Sequence, residues 1–572
     1  MTIRRMRRRF AGKPLPANKP GMTEPRSGGR ILVDNLVAQG CDRIFQVPGE
    51  SFLAVLDALV DVPAIDVVTC RQEGGAAFMA CADGALTGRP GVCFVTRGPG
   101  ATNASIGVHV AMQDSQPMIL FIGDVDRGMR DREGFQEVDF VAMFAPLAKL
   151  ALRIDDARRI PEYVARAFSV AISGRPGPVV IALPEDMLKD VVEAVDRPPV
   201  ERHRMPLDPA DFDEVLDRVR KAERPVAIVG GAGWDTATGA AFDCFARSWG
   251  IPVAAAFRRQ DAISNDSPAW AGNLGYGPNP KLVARIKAAD VVLAIGARLG
   301  EATTDSYTLI TPDHPGQTLI HIHPDPAELN RVYRADVAIC ADVLEAAAML
   351  AAAEPPAMPH PSAAQARADY LDWTTPAPRD GVTLDLGQCV LAMRERIAAV
   401  DAIICNGAGN FSGWWHRYWR YGPHGSQLAP TAGAMGYGVP AAVAAARRCP
   451  DKTVVAVAGD GDFLMNGQEL ATAVQHGVDL LVIVVDNGGY GTIRMHQERD
   501  YPVRVSGTEL RNPDFAALAR AFGGWAETVD RTADFAPALD RALAERGVRL
   551  LHLRTDIEVI TPGTTITRLR DA

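Results

Sequence analysis

Two apolar, strand-like runs of the sequence end in turns of acidic, amide and glycine residues. VVAVA at 454–458 runs into Gly459-Asp460-Gly461-Asp462, and LLVIVV at 480–485 runs into Asp486-Asn487-Gly488-Gly489 about two dozen residues after Gly461. As parallel strands, the two runs end on one edge of a sheet, the edge where open α/β sheets bind ligands. Glycines there let backbone N–H groups approach a phosphate, and a following helix adds the potential of its N-terminus. Asp460 and Asn487 offer hard oxygens, which Mg²⁺ takes in small number beside phosphate oxygens. Either turn alone is an ordinary strand end, since Asp, Asn and Gly favour such places anyway. Together they point to a metal–diphosphate site. A second candidate is Glu73, between DVVTC at 66–70 and the helical pattern at 74–86. A carboxylate at a helix N-terminus is commonly just a partner of the dipole. Buried, with a raised pKa, it would also suit proton transfer.

The scaffold for these residues is legible in outline. A chain of 572 residues suggests three or four domains at about 100–200 residues each. With 47% hydrophobic and 23% charged residues it matches globular proteins, which excludes disordered and fibrous classes. A net charge of −9 argues against nucleic acid as the main partner. The apolar runs are too short to span a bilayer, so no membrane partner is expected. Nine scattered cysteines without a CxxC pair read as reduced thiols, hence a cytoplasmic location. Strand patterns at 65–69, 91–96 and 118–122 alternate with helical ones at 74–86 and 104–113, the βαβ rhythm of a parallel sheet covered on both faces. The same rhythm returns after the Pro-rich 196–206 and again after the Pro- and Ala-rich 353–379. The expected fold class is therefore α/β, with three doubly wound parallel-sheet domains. The expected division is a basic, disordered tail at 1–28, domains at 29–195 and 207–352, a linker at 353–380 and a last domain at 381–572.

The paired turns resemble the thiamine-diphosphate signature, GDG followed by an asparagine turn. Phe45-Gln46-Val47-Pro48-Gly49 resembles the F-G-x-P-G turn of acetolactate-synthase-like enzymes, with Gln46 in place of the first glycine. GPGATN stands at 98–103, and Gly134-Phe135-Gln136-Glu137 resembles their AFQE segment. On these motifs the chain, from about Gly29 to Thr555, resembles the thiamine-diphosphate enzymes, most closely the acetolactate synthase-like group. The resemblance implies a pyrimidine-binding, a central and a diphosphate-binding domain. It implies that Asp460, Asn487 and the Gly489 carbonyl hold Mg²⁺, with Gly461 and Asp462 at the diphosphate, Asp462 through its backbone N–H. Glu73 would bond the cofactor's aminopyrimidine ring, and Pro48 belongs to the opening turn of that binding domain. Met435 would be the wedge that bends the cofactor, and the Gly433 carbonyl would accept from its amino group. Active sites in the family form between subunits, which implies a homodimer or homotetramer.

The implied activity is a carboligase of small 2-oxo acids: decarboxylation of pyruvate and transfer of the remaining unit to a second carbonyl compound. A decarboxylase or carbon–carbon lyase on the same cofactor, or a catalytically silent regulatory subunit, are the alternatives. The candidate catalytic residues are Glu73, Gln136 and His496. Gln136 and Lys149 match synthase positions, whereas His496 replaces a substrate-selecting tryptophan and Ala302 an acceptor-binding arginine. FAD in the central domain stays open: Gly230-Gly231-Ala232-Gly233 lacks a full nucleotide fingerprint, and Leu274-Gly275-Tyr276-Gly277 departs from the flavin segment. Trp414, Trp415, Tyr418 and Trp419 read either as a stacking platform or as packed core.

Overall fold

The computed structural model describes residues 24–313 and 316–571. Most of the basic segment expected to be disordered lies outside them. Its described end is part of the fold, which corrects the boundary at residue 28. Arg26–Ser27 pairs antiparallel with Val191–Val192, and Arg26 forms ion pairs with Asp34 and with Asp196, the latter at 2.8 Å. Ser27 then caps the helix Gly28–Ala38 by accepting the Arg30 N–H.

Three six-stranded, all-parallel sheets follow, each with helices on its faces. The first runs, edge to edge, Asp66–Thr69, Arg43–Gln46, Gly91–Thr96, Met118–Asp124, Pro178–Pro184 and Leu150–Arg153. The last runs Gln427–Leu428, Ala402–Asn406, Thr453–Gly459, Leu480–Asp486, Val548–Arg554 and Trp525–Val529. Counted within each sheet, both have the order 2-1-3-4-6-5. The central sheet, Trp270–Asn273, Val253–Ala255, Pro225–Val229, Val291–Ile295, Thr318–His323 and Val337–Cys340, has the order 3-2-1-4-5-6. In each order the chain reverses direction beside strand 1, and this switch opens a crevice at the C-terminal ends of the strands. The inner strands are buried on both sides, as continuous runs such as LLVIVV require.

The segment 353–380 is not a plain linker. It carries the helix Ser362–Trp373, whose Ala363, Ala366 and Tyr370 are buried at helical spacing, with Tyr370 edge-on to Trp270. Its Pro-rich flanks masked that stripe. The two outer domains share one hydrophobic core, in which Phe78 meets Tyr437 edge-on at 5.4 Å. Trp414, Trp415, Tyr418 and Trp419 are buried in the last domain's own core, which settles them as packing. No helix among the described residues is long and apolar enough to cross a membrane.

Candidate active site

Thr453–Gly459 and Leu480–Asp486 are neighbouring strands with Gly459 opposite Val485, so their end turns lie side by side. The helix Asp460–Asn466 follows the strand's last residue, Gly459, without a loop. A cavity of about 230 Å³ opens there. Asp460, Gly461, Asp462, Asn487 and Gly489 line it, together with Gly433 and Met435 from the loop before helix Gly438–Arg448. The structure thus gathers every candidate of the last domain except His496.

Asp460 is buried and fully engaged. Its Oδ1 accepts the Gly461 N–H at 2.9 Å; its Oδ2 accepts from the Gly489 N–H at 3.1 Å and from Asn512 Nδ2 at 2.7 Å. Burial, with the neighbouring Asp486 carboxylate adding to it, pushes the Asp460 carboxyl up to about 6. Asn512 also donates to Asp486 Oδ1 at 2.8 Å, and Asp486 Oδ2 lies 2.9 Å from Nε2 of buried His552. Burial opposes ionisation of Asp486, but its bonds to His552 and Asn512 outweigh that and hold its carboxyl below the usual range. Asn512 and His552 carry no motif and sequence reasoning missed them. His552 reaches the site because Val548–Arg554 is the next strand, with His552 beside Val484.

The Asp462 side chain has its own task besides any backbone contact. Its Oδ1 accepts the Gly436 N–H at 2.8 Å, tying down the loop that carries Gly433 and Met435. Its Oδ2 is buried without a hydrogen-bond partner, and burial pushes the carboxyl up to about 7. The same loop is held from the other domains. Asp114 Oδ1 accepts the Thr431 and Ala432 N–H groups at 2.8 and 3.2 Å, and Arg258 donates to the Pro430 carbonyl at 2.6 Å. A Cβ at Gly461 would lie 2.6 Å from the Tyr490 ring, so a side chain there requires that ring to shift.

The first-domain candidates gather at the edge of their own sheet. Glu73 opens the helix Glu73–Thr87; it is half-buried and its Oε2 accepts from Asn103 Nδ2, in the GPGATN segment, at 2.9 Å. Gln136 takes a left-handed φ of 65°, and its carbonyl accepts the Gly98 N–H at 3.0 Å. Pro48 is exposed on the turn after Arg43–Gln46. Among the described residues none of the first domain lines the cavity of the last domain, so one chain does not join the two halves. His496 is exposed, accepts from Arg499 at 2.9 Å and does not line that cavity either. Lys149 caps a helix instead of facing a ligand: its ammonium donates to the Val170 and Ser173 carbonyls at 2.6 and 2.7 Å.

A larger cavity, about 450 Å³, lies at the switch point of the central sheet. Gly231, Arg298, Ala302, Tyr276 and, from the loop of the last domain, Thr431 and Ala432 border it.

Comparison with known proteins agrees with this arrangement. Three family models match: the N-terminal TPP binding domain of thiamine pyrophosphate enzymes at 26–143, their central domain at 212–350 and their C-terminal TPP binding domain at 407–553. Thiamine pyrophosphate is thiamine diphosphate. The acetolactate synthase large subunit of Parasynechococcus marenigrum is 33% identical over 527 residues, 89% of this chain and 84% of that protein. The acetolactate synthase isozyme 2 large subunit of Escherichia coli is 31% identical over 535 residues, 93% of this chain and 96% of that protein. Acetolactate synthase 2, chloroplastic, of Zea mays is 32% identical over 567 residues, 94% and 87% of the two chains. With all three domains matched in order and relatives aligned over nearly their full length, this chain belongs to the thiamine pyrophosphate enzymes, within the acetolactate synthase family.

Proposed function

We propose that the chain is a thiamine-diphosphate- and Mg²⁺-dependent carboligase of small 2-oxo acids, acetolactate synthase-like. The observation that carries this is the cavity where the two glycine turns meet, with Asp460, Asn487 and Gly489 converging beside Gly433 and Met435. The donor set suits the group. Among the described residues no cluster of three His, Cys, Asp or Glu side chains could hold a metal alone. Two side-chain oxygens and a carbonyl, completed by diphosphate oxygens, are what Mg²⁺ accepts. The glycines at 461 and 489 keep the wall open to phosphate. In this reading Asp460, Asn487 and the Gly489 carbonyl hold Mg²⁺, and Gly461 and Asp462 contact the diphosphate. Asp462 also orients the loop from which Met435 would support the cofactor and the Gly433 carbonyl would accept from its amino group. When bound, thiamine diphosphate would supply nucleophilic chemistry towards the 2-oxo carbonyl and an electron sink for loss of CO₂. The chain's part is to bind and orient, and to hold a proton at Glu73 against the aminopyrimidine ring.

The separation of Glu73 from the cavity supports a site completed by a second copy, hence a homodimer or a homotetramer of two such pairs. Pro48 and Gln136 belong to the same first-domain edge, Gln136 as a substrate contact. His496, on the exposed helix Gly491–Asp500, joins them only where the second copy covers it. The central cavity is where FAD would sit. The 3-2-1-4-5-6 order, a glycine at the switch point and Arg298 in the wall support a dinucleotide there. A yellow chromophore released on denaturation would establish FAD, and a colourless active enzyme would remove it. Nine free thiols support a reducing, cytoplasmic location.

The deciding assay is purified protein with pyruvate, Mg²⁺ and cofactor. Acetolactate is the expected product. Acetaldehyde with CO₂ would make the chain a decarboxylase, a reading that Ala302, in place of the acceptor-binding arginine, favours. No CO₂ release would leave a silent subunit.

A further inference from the structure

Glu469 is the charged residue whose place in the fold the cofactor site does not by itself explain. It ends the short turn Gly467–Glu469 directly after the helix Asp460–Asn466, and its side chain is 0% exposed. It has no Lys, Arg or His ion-pair partner among the described residues. A buried carboxylate without a counter-ion is expensive, and apolar residues or a glutamine would pack more cheaply. The carboxylate is instead spent on another domain. Its Oε1 accepts the backbone N–H groups of Arg71 at 3.1 Å and Gln72 at 3.0 Å, while Oε2 accepts the Thr472 hydroxyl at 2.6 Å.

Arg71 and Gln72 form the turn immediately before Glu73. Every backbone N–H of that turn is accounted for. Thr69 N–H donates to His476 Nε2 at 3.2 Å, Cys70 N–H to the Gln46 carbonyl at 2.9 Å, and the next two go to Glu469. The Arg71 guanidinium adds a bond to Gln475 at 2.6 Å. Three of the four N–H groups are thus held by side chains at 469–476 of the last domain. Gly75 is cut to the same contact: a Cβ there would lie 2.8 Å from the Glu469 carboxylate. The Gln72 side chain, accepting the Gly75 N–H at 3.0 Å, completes the helix start.

We propose that Glu469 is a positioning residue for Glu73: it fixes the turn from which Glu73 projects. The inference rests on the role of Glu73 given under Proposed function. Asp460 and Glu469 lie on one continuous segment, so the element that carries the metal turn in a chain also sets that chain's Glu73. Because Glu73 serves the cofactor held by the second copy, the segment links the two active sites of a pair.

The test is exchange of the cofactor C2 proton for deuterium in the Mg²⁺-loaded holoenzyme, with cofactor affinity and thermal midpoint measured alongside. Glu469→Ala should slow exchange on the order of 100-fold, the usual cost of misplacing a reacting group by about an ångström, with affinity changed only a few-fold. Glu469→Gln keeps an acceptor for both N–H groups and an amide for Thr472, and should recover most of the rate, to within about 3–10-fold of wild type. Wild-type exchange in Glu469→Ala overturns the proposal. So does a loss in which rate, affinity and thermal midpoint fall together, which is the mark of a merely structural residue. Where the alanine variant yields no folded holoenzyme, Thr472→Val decides: a several-fold slower exchange at unchanged affinity supports the proposal, and wild-type exchange overturns it. Glu73→Gln in the same assay separates the two layers. Should it exchange at the wild-type rate, the role of Glu73 itself falls; should it be silent while Glu469→Ala exchanges normally, only the present inference falls.

Discussion

The first and last sheets have the same strand order, yet their switch points hold different chemistry. In the last sheet the strand Thr453–Gly459 passes without a loop into a helix, and its neighbour ends in Asp486 and Asn487. Backbone N–H groups, the carboxylates of Asp460 and Asp462 and the amides of Asn410 and Asn487 therefore crowd one cavity. In the first sheet three of the four N–H groups of the turn before Glu73 are already taken by the last domain, and one carboxylate projects. Topology thus fixes where a ligand can sit, and the residues at strand ends fix which part of it. One edge suits a charged diphosphate and its metal, the other a ring needing a single proton partner.

The sharpest way to break this comparison is to remove the central group on each side. Asp460→Ala should weaken Mg²⁺-dependent cofactor binding by at least about 100-fold, since a direct ligand should cost no less than the outer-shell partners that tune it. Glu73→Gln should leave that affinity within a few-fold and lower turnover by about 10²–10⁴, the range of a lost acid–base group. Titration calorimetry with cofactor and Mg²⁺ separates the two. Equal losses of affinity in both variants would end the division of labour between the edges.

Next in size is the support behind the metal turn. Asn512 bridges Asp460 and Asp486 at 2.7 and 2.8 Å and holds two carboxylates together that would otherwise repel. Asn512→Ala should lower Mg²⁺ affinity about 10–100-fold with the cavity walls intact. An unchanged Mg²⁺ titration would show that the diphosphate and Asn487 orient Asp460 unaided. Smaller again is Gly461→Ala. Its Cβ would press on the Tyr490 ring at 2.6 Å, a misfit of about 1–3 kcal/mol that tilts the turn without deleting a ligand. A several-fold rise in the cofactor Kd is expected, and none if Tyr490 swings clear.

The metal side of this comparison is legible in the sequence because its residues are local. Two turns behind two apolar strands name Asp460, Gly461, Asp462, Asn487 and Gly489, and parallel pairing brings them together. The sheet class follows from apolar runs such as 91–96, whose length matches the strand found at Gly91–Thr96. What stayed hidden is non-local. Asn512 and His552 act from a loop and a neighbouring strand, and nothing in their flanking residues marks them. Glu469 sits in a helical pattern where a carboxylate reads as solvated, and only the packing of two domains buries it. Helix Ser362–Trp373 was obscured by its proline-rich flanks, although its buried alanines keep helical spacing. Arg26, read as part of a basic tail, turns out to be a partner of Asp34 and Asp196.

The comparison also requires that the two outer domains of one chain stay docked, and a charged network beside their shared core bears on this. Arg448 of the last domain donates to Asp83 at 2.8 and 3.0 Å and to Asp42 at 2.9 and 2.8 Å. Burial works against ionised Asp42, but its bonds to Arg448 and the charges of Arg448 and Arg89 outweigh burial and bring its pKa to about 2, against an ordinary 3.8. A carboxyl whose folded pKa is depressed adds stability that is fully present above its unfolded value and is lost as pH falls through the folded one. For Asp42 that window runs from about pH 4 down to pH 2. Its side chain is 47% exposed, so solvent screens the pair and the effect is small. Asp83, by contrast, is buried and loses its close partner in Arg448→Ala, so that variant should lower the thermal midpoint well beyond the Asp42 share at pH 7. The Asp42 share of the gap to wild type should disappear as pH drops from 4 towards 2. A gap that stays constant across that range would mean that Asp42 contributes nothing to docking and that Asp83 and the packed arginine stem do the holding.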